Sequence, residues 1–254
     1  MKAADGHHGV RVDLAGVRKA YDEHAVLRGV DLVVEPGGLV AIVGQRGTGK
    51  SVLLRQIIGL EAPDAGRITV GDLPLPEYLA LPPDEKPFRI AMVFQSAALL
   101  ASLTVAENVS LRLLEQRRHD RSKIREITRR VLEQLEMAGT DDKLPGELSG
   151  GMRQRVAIAR ALAIDPELIL YDEPTADLDP LLTEQIGHLI ARIKETRGAT
   201  QLIVTHNLAL ARAIADRIAV LDEGRIAEVL RPAELPTSRH RLTREFLRAA
   251  ALTP

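Results

Sequence analysis

The sequence predicts an α/β fold with a P-loop core on a parallel sheet, an antiparallel β layer at the N-terminal end and a helical insertion in the middle. Three observations carry that expectation. Short apolar or β-branched runs, "LVAIV" (39–43), "LILY" (168–171) and "QLIVTH" (201–206), have the composition of strands buried on both faces. A glycine-rich turn, "GQRGTGKS" (44–51), leads from the first of these runs straight into an amphipathic segment. From Thr104 to Ile164 the chain is mostly helical in pattern.

Taken in order, residues 10–43 hold three apolar bursts, "VRVDL", "VDLVV" and "LVAIV", the last two separated by the turn "EPGG" (35–38). "SVLLRQIIGL" reads as a helix with Leu53, Leu54, Ile57 and Ile58 on one side, ending near Gly59. "PDAGRITVGD" (63–72) reads as turn, strand, turn, and "ALPPDEKPF" (80–88) as a loop into the strand "IAMVF". "TVAE" (104–107) has capping-box spacing, because threonine and glutamate three apart can each bind the other's backbone amide. Ile124, Ile127, Val131, Leu132 and Leu135 form a helical stripe opposite a charged face. A helix at about 180–197 separates the strands "LILY" and "QLIVTH". "RIAVLDEGRIAEVL" reads as a hairpin turning at Asp222, Glu223 and Gly224, and "RHRLTREFLRAAAL" as an amphipathic helix with Leu242, Phe246, Leu247 and Ala250. The expected organisation is a single domain over 1–254. Its core takes in 10–95 and 165–230, a helical subdomain spans about 96–164, and a C-terminal amphipathic helix covers about 238–251.

Composition narrows the classes of function. The chain has 254 residues, 45% hydrophobic and 27% charged, with a net charge of -1, so no bulk electrostatic attraction to nucleic acid or anionic lipid is expected. It has no cysteine, which excludes disulfides, thiolate metal sites and cysteine nucleophiles. The start, "MKAADGHHGVRVDL", lacks the apolar core of a signal peptide, and no apolar stretch is long enough to span a bilayer. A soluble, cytoplasmic chain is expected, with any membrane role supplied by a partner.

The chemistry starts at "GQRGTGKS", which has the Walker A pattern in its required place between strand and helix. Glycines let the backbone wrap a phosphate so that amide N–H groups point at its oxygens, and the helix dipole adds favourable potential. Gly44, Gln45, Arg46, Gly47, Thr48, Gly49, Lys50, Ser51 and Val52 are the candidate nucleotide-binding residues. Lys50 reaches the outer phosphates and Ser51 ligates magnesium. Asp172 ends the strand "LILY", at the sheet edge where open α/β sheets bind ligands, and is the natural carboxylate for magnesium. Glu173 follows and can polarise an attacking water. Gln95 and His206 close two further strands, so the same topology brings them to that edge. "ELSGGMRQRVAIARAL" (147–162) places Ser149, Gly150 and Gly151 at a second helix start suited to an anion.

Together these motifs resemble the ATP-binding cassette (ABC) ATPases over nearly the whole chain and in the family's order. The aromatic Tyr21 comes first, then Walker A, Gln95, the signature "LSGGM", Asp172 with Glu173, "ADLD" (176–179) and His206. The resemblance implies ATP and Mg2+ as ligands and a homodimer in which two ATPs are sandwiched head to tail. It further implies that Tyr21 stacks on adenine, and that Ser51, Asp172 and Gln95 arrange magnesium and water. It likewise implies that Lys50 and backbone amides hold the phosphates, that His206 contacts the γ-phosphate, that Glu173 is the general base or water-orienting group, and that Asp177 and Asp179 tie the two sites together. Ser149, Gly150 and Gly151 would touch the γ-phosphate held by the other subunit, which explains why one chain carries two anion-binding helix starts.

Within the family, "GTGKSVLLRQIIGLEAPDAG", "VFQSAALLASLTVAENV", Met152 in the signature, "YDEPTADLDP" and "REFLRAA" look like the Mla-type cassettes that energise lipid transport. Two departures stand out: Arg248 where a glycine is common, and Asp177 where "AGLDP" is commoner. This implies an integral permease, an MCE-domain lipid-binding protein and a small STAS-type subunit as partners, no nucleic acid, and a peripheral position on the inner face of the cell membrane. Segment 96–107 would meet the permease, with Ala97, Ala98, Leu99, Leu100 and Leu103 as contacts or as buried core. Two rival readings share the motifs: the ATPase of a small-solute importer of the amino acid type, and a soluble ABC ATPase with no permease.

Overall fold

The computed structural model describes residues 9–116 and 118–251, with the side chains of 250 and 251 left aside. Ala250, expected on the apolar face of the last helix, and residues 1–8, part of the segment expected to lack a signal peptide, therefore lie outside the described residues.

Two sheets organise the chain. Strands β1 (Val12–Tyr21), β2 (His24–Val34), β4 (Ala65–Val70) and β5 (Leu73–Pro74) form an antiparallel sheet in the order β2-β1-β4-β5. A six-stranded sheet follows the order β10-β9-β3-β8-β7-β6, from β3 (Leu39–Val43), β6 (Ile90–Val93), β7 (Leu168–Asp172), β8 (Thr200–Thr205), β9 (Arg217–Asp222) and β10 (Arg225–Leu230). All its pairings are parallel except β9 with β10, a hairpin turning through Glu223 and Gly224 at φ 46° and 75°. The two sheets meet where Arg28 N–H donates to the Gly224 carbonyl at 2.8 Å.

Alternation along the buried strands divides the core in two. Leu39, Ala41 and Val43 of β3, with Ile169 and Tyr171 of β7, face one cluster; Val40, Ile42, Leu168 and Leu170 face the other. The first cluster takes helices α3 (Val105–Gln116), α4 (Arg121–Gln134), α5 (Gly150–Ala163), α6 (Pro180–Arg197) and α7 (Leu208–Ile214). The second takes α1 (Lys50–Ile58) and the antiparallel sheet. Burial on both faces matches the unbroken apolar run of β3, while β8 also buries Thr200, Gln201 and Thr205.

Local signals account for most boundaries. Gly59 caps α1 in the left-handed conformation, φ 85°. Thr104 and Glu107 exchange the two bonds of a capping box ahead of α3. Asp120, Ser149 and Asp179 each cap the following helix through the side chain. The stripe Ile124, Ile127, Val131, Leu132 and Leu135 is buried as expected.

One helix goes beyond the expectation. Residues Leu75–Ala80 form α2, although proline reads as a breaker; Pro76 occupies its first turn, where the missing N–H costs nothing. Tyr78 anchors it, its ring stacked on Phe88 at 4.5 Å and its hydroxyl donating to the Phe88 carbonyl. The last helix, α8 (Arg241–Ala251), packs Leu242, Phe246 and Leu247 on the first cluster.

Candidate functional site

The loop between β3 and α1 owes its shape to two glycines. A Cβ on Gly44 would lie 2.6 Å from the Leu221 carbonyl oxygen, and one on Gly49 would lie 2.7 Å from a Val26 methyl, with φ at 96°. No other residue fits either place. The loop closes on itself: Thr48 Oγ1 donates to the Gln45 carbonyl, and the Lys50 ammonium donates to the Gly44 and Gln45 carbonyls at 2.9 Å each.

The β7 alternation turns Asp172 toward α1, where Ser51 Oγ donates to its Oδ1 at 2.7 Å. Glu173, the next residue, has a left-handed backbone (φ 45°) with its N–H bound to the Val204 carbonyl. That turn aims the carboxylate back across the sheet edge. Its Oε1 lies 3.6 Å from the Lys50 ammonium and its Oε2 2.9 Å from His206 Nδ1. The His206 backbone N–H also donates to it. Burial pushes the Lys50 ammonium below its ordinary pKa, against the pull of Glu173. Burial likewise raises Asp172, with the Ser51 hydrogen bond opposing and the Glu173 charge adding.

These residues share a cleft of about 530 Å³ at the C-terminal edge of the parallel strands, where Arg46, Gly47, Gly49, Lys50, Ser51, Val52, Gln95, Glu173, Asp177 and His206 all line the wall. Asp172 reaches it through Ser51. Sequence reasoning missed two lining residues, Val26 and Ala176. Nothing in their own types marks them; Val26 arrives by the seating of the β2 turn against Gly49.

Other expected site residues stand elsewhere. Ser149 caps α5, its Oγ accepting from Met152 N–H at 3.3 Å, while side chains at 150 and 151 would face Leu178 and Leu182. None of the three lines the cleft of its own chain. Tyr21 ends β1 outside the cleft and 41% exposed, its hydroxyl donating to Glu61, which also pairs with Arg55. Asp179 caps α6. Of the apolar residues of 96–107, read either as permease contacts or as buried core, Ala97 is core at 4% exposure, whereas Leu100 is exposed at 46%.

A strand–loop–helix cradle with a lysine, a serine–aspartate pair and a carboxylate at one sheet edge defines a P-loop nucleoside-triphosphate-binding protein. The ABC transporter family profile matches residues 27–176, and this chain belongs to that family, as an ABC ATPase cassette. It is 38% identical over 89% of its length to the sulfate/thiosulfate import ATP-binding protein CysA of Synechococcus elongatus. It is 39% identical over 85% of its length to the L-cystine transport system ATP-binding protein TcyN of Escherichia coli, and 43% over 91% to the methionine import ATP-binding protein MetN of Rhodopseudomonas palustris. The chain spans 64%, 88% and 62% of these three relatives respectively. A dimeric cassette, MJ0796, in a post-hydrolysis state bound to ADP and Pi, superposes with a TM-score of 0.77 at 34% identity, covering 87% of this chain and 98% of that one.

The names of these relatives favour the small-solute alternative over the lipid reading. Their names concern sulfate, cystine and methionine, and none points to an MCE-domain or STAS-type partner. The motifs that suggested lipid cargo belong to the motor, which cassettes for different cargo share.

Proposed function

We propose that this chain is the ATP-hydrolysing subunit of a membrane importer for a small polar solute. It works as a homodimer docked on an integral permease at the cytoplasmic face. One observation carries the reading: Glu173 is held between Lys50 and His206 in the same cleft as the Ser51–Asp172 pair. Among the described residues no helix is long and apolar enough to cross a membrane.

In this reading Lys50 and the amides of 47–52 hold the β- and γ-phosphates, and Tyr21, whose ring carries the Lys19 ammonium 5.7 Å from its centroid, stacks on adenine. Ser51 and Asp172 present adjacent oxygens, a donor set suited to a hard cation, and Gln95 lines the same wall. Mg2+ held there would neutralise phosphate charge. Glu173 accepts a proton from a water as its oxygen bonds to the γ-phosphorus; the bond from that phosphorus to the bridging oxygen breaks, leaving ADP and phosphate. His206 keeps the carboxylate aimed. Ser149, Gly150 and Gly151, turned away from their own cleft, supply the helix start that completes the partner's site. The small-solute assignment is supported by the import relatives, and the dimer by the dimeric cassette of similar fold.

The test is affinity purification of the Glu173→Gln chain from detergent-solubilised native membranes, followed by mass spectrometry. A permease accompanied by a solute-binding protein is the expected result. A permease with an MCE-domain protein and phospholipid would overturn the solute assignment in favour of lipid. Recovery of no membrane protein would overturn the transporter reading and leave a soluble ATPase.

A further inference from the structure

The segment that follows Gln95 is held from both sides. A turn closed by Ala97 N–H donating to the Phe94 carbonyl, at 3.0 Å, has Gln95 and Ser96 at its tip. The next two residues, Ala97 and Ala98, are both left-handed, with φ 61° and 48°. Alanine has no intrinsic reason to be there, and two in succession need an external hold. The Arg160 guanidinium supplies it, donating to the Ala98 carbonyl at 2.7 Å and the Ala97 carbonyl at 2.9 Å. A planar fork presents a separate, fixed donor to each of the two successive carbonyls, whereas a lysine would have to bridge both from one ammonium, as Lys50 does at Gly44 and Gln45. Further along, the buried Asn108 side chain accepts from Leu100 N–H and donates to the carbonyls of Leu100, Leu103 and Thr104.

Arg160 stands on α5, the helix whose first turn holds Ser149, Gly150 and Gly151. From Gly150 to Arg160 the helix rises by about 15 Å, a short rod. One end of that rod is the anion-binding start turned toward the partner; near the other, the fork grips the turn that carries Gln95. Burial depresses the Arg160 pKa, in keeping with a guanidinium taken out of water for these two bonds.

The geometry points to Arg160 as a positioning residue that fixes Gln95 in the nucleotide cleft and ties it rigidly to the signature helix of its own chain. The inference rests on the proposed role of Gln95 in hydrolysis. Removing the fork lets the two alanines relax toward right-handed backbone and swings Gln95 from the cleft wall. Glycine at 97 and 98 removes the drive to relax, so it restores what the fork supplied.

The experiment measures ATPase kinetics of the full chain, with kcat counted per site titrated by a non-hydrolysable ATP analogue. Gln95→Ala, Arg160→Ala, Arg160→Lys and the triple variant Arg160→Ala/Ala97→Gly/Ala98→Gly are compared. Expected are a kcat at least tenfold lower in Arg160→Ala with KM for ATP within twofold, incomplete recovery in Arg160→Lys, and at least threefold recovery in the triple variant. Wild-type kcat per titrated site in Arg160→Ala, beside an impaired Gln95→Ala, would overturn the positioning role alone. Normal turnover in Gln95→Ala would overturn the reading beneath it. Should Arg160→Ala not fold, Arg160→Lys decides: kcat per site unchanged in that variant refutes the requirement for a fork.

Discussion

Alanine at Gly49 and at Gly47 should destabilise the protein by clearly different amounts, though both glycines sit in the phosphate loop with positive φ. At Gly47 (φ 80°) a Cβ meets nothing within 4 Å, so only the left-handed backbone is penalised. That is about 1–2 kcal/mol. At Gly49 (φ 96°) the same penalty applies, and the new methyl lies 2.7 Å from Val26 Cγ1 and 2.9 Å from Leu27 Cδ2. Leu27 is 1% exposed and has no room to retreat. Overpacking of this kind adds about 1–3 kcal/mol, for a total near 3 kcal/mol. For a chain of this length each kcal/mol moves the melting temperature by about 2 °C. Calorimetry of nucleotide-free protein should show a fall of about 6 °C for Gly49→Ala and about 2–4 °C for Gly47→Ala. Truncating the obstructing methyls in Gly49→Ala/Val26→Ala should recover about 1 kcal/mol relative to additivity. Equal shifts for the two single variants, or no coupling to Val26, would refute the packing argument.

Three other outcomes follow from the cleft. Glu173→Gln should bind ATP with unchanged affinity, lose hydrolysis by about a hundredfold or more, and elute as a dimer when ATP is present; normal turnover would remove Glu173 from its role. Ser149→Arg should abolish hydrolysis while the same chain still binds nucleotide, and mixing it with Lys50→Ala should give dimers with one competent site; absence of that residual activity would sink the shared-site arrangement. Asp172→Asn should raise the melting temperature of the cation-free chain at pH 7 while removing Mg2+-dependent hydrolysis. The sign follows from the raised Asp172 pKa: the protonated form favours the fold below the ordinary carboxylate pKa, and that contribution is lost as pH rises through the folded value. The gain from asparagine should therefore shrink on acidification toward pH 4, and a gain that grows instead would refute the burial argument.

Elements set by local chemistry were legible in the sequence. The capping box at Thr104 and Glu107, the Glu223–Gly224 turn and the doubly apolar strand 39–43 each follow from a few adjacent residues. Strand ends placed Gln95, Glu173 and His206 at one edge, because parallel strands share it. What could not be read depends on partners far along the chain. Helix α2 rests on Tyr78 stacking against Phe88, and the burial of Ala97 on a left-handed turn held by Arg160, more than sixty residues away. Contact between Glu173 and His206 requires a positive φ at a glutamate, which no residue pattern announces. Cargo was not legible for another reason: motor motifs shared by cassettes of different cargo carry little record of it.

Strand β3, which delivers the phosphate loop, lies between β8 and β9. Its hydrogen-bonding partners are Gln201–Thr205 and Arg217–Val220, and the wall behind Gly44 is the Leu221 carbonyl. During synthesis the loop leaves the ribosome well ahead of both strands that flank β3, so both edges of that strand stay unpaired until residues 201–220 emerge. The N-terminal half cannot settle a nucleotide pocket on its own, and a chain broken before residue 217 keeps every Walker A residue without the strand and carbonyl that shape them. Such long-range pairing is slow to form, and until the closing hairpin arrives the apolar strand lacks its β9 neighbour.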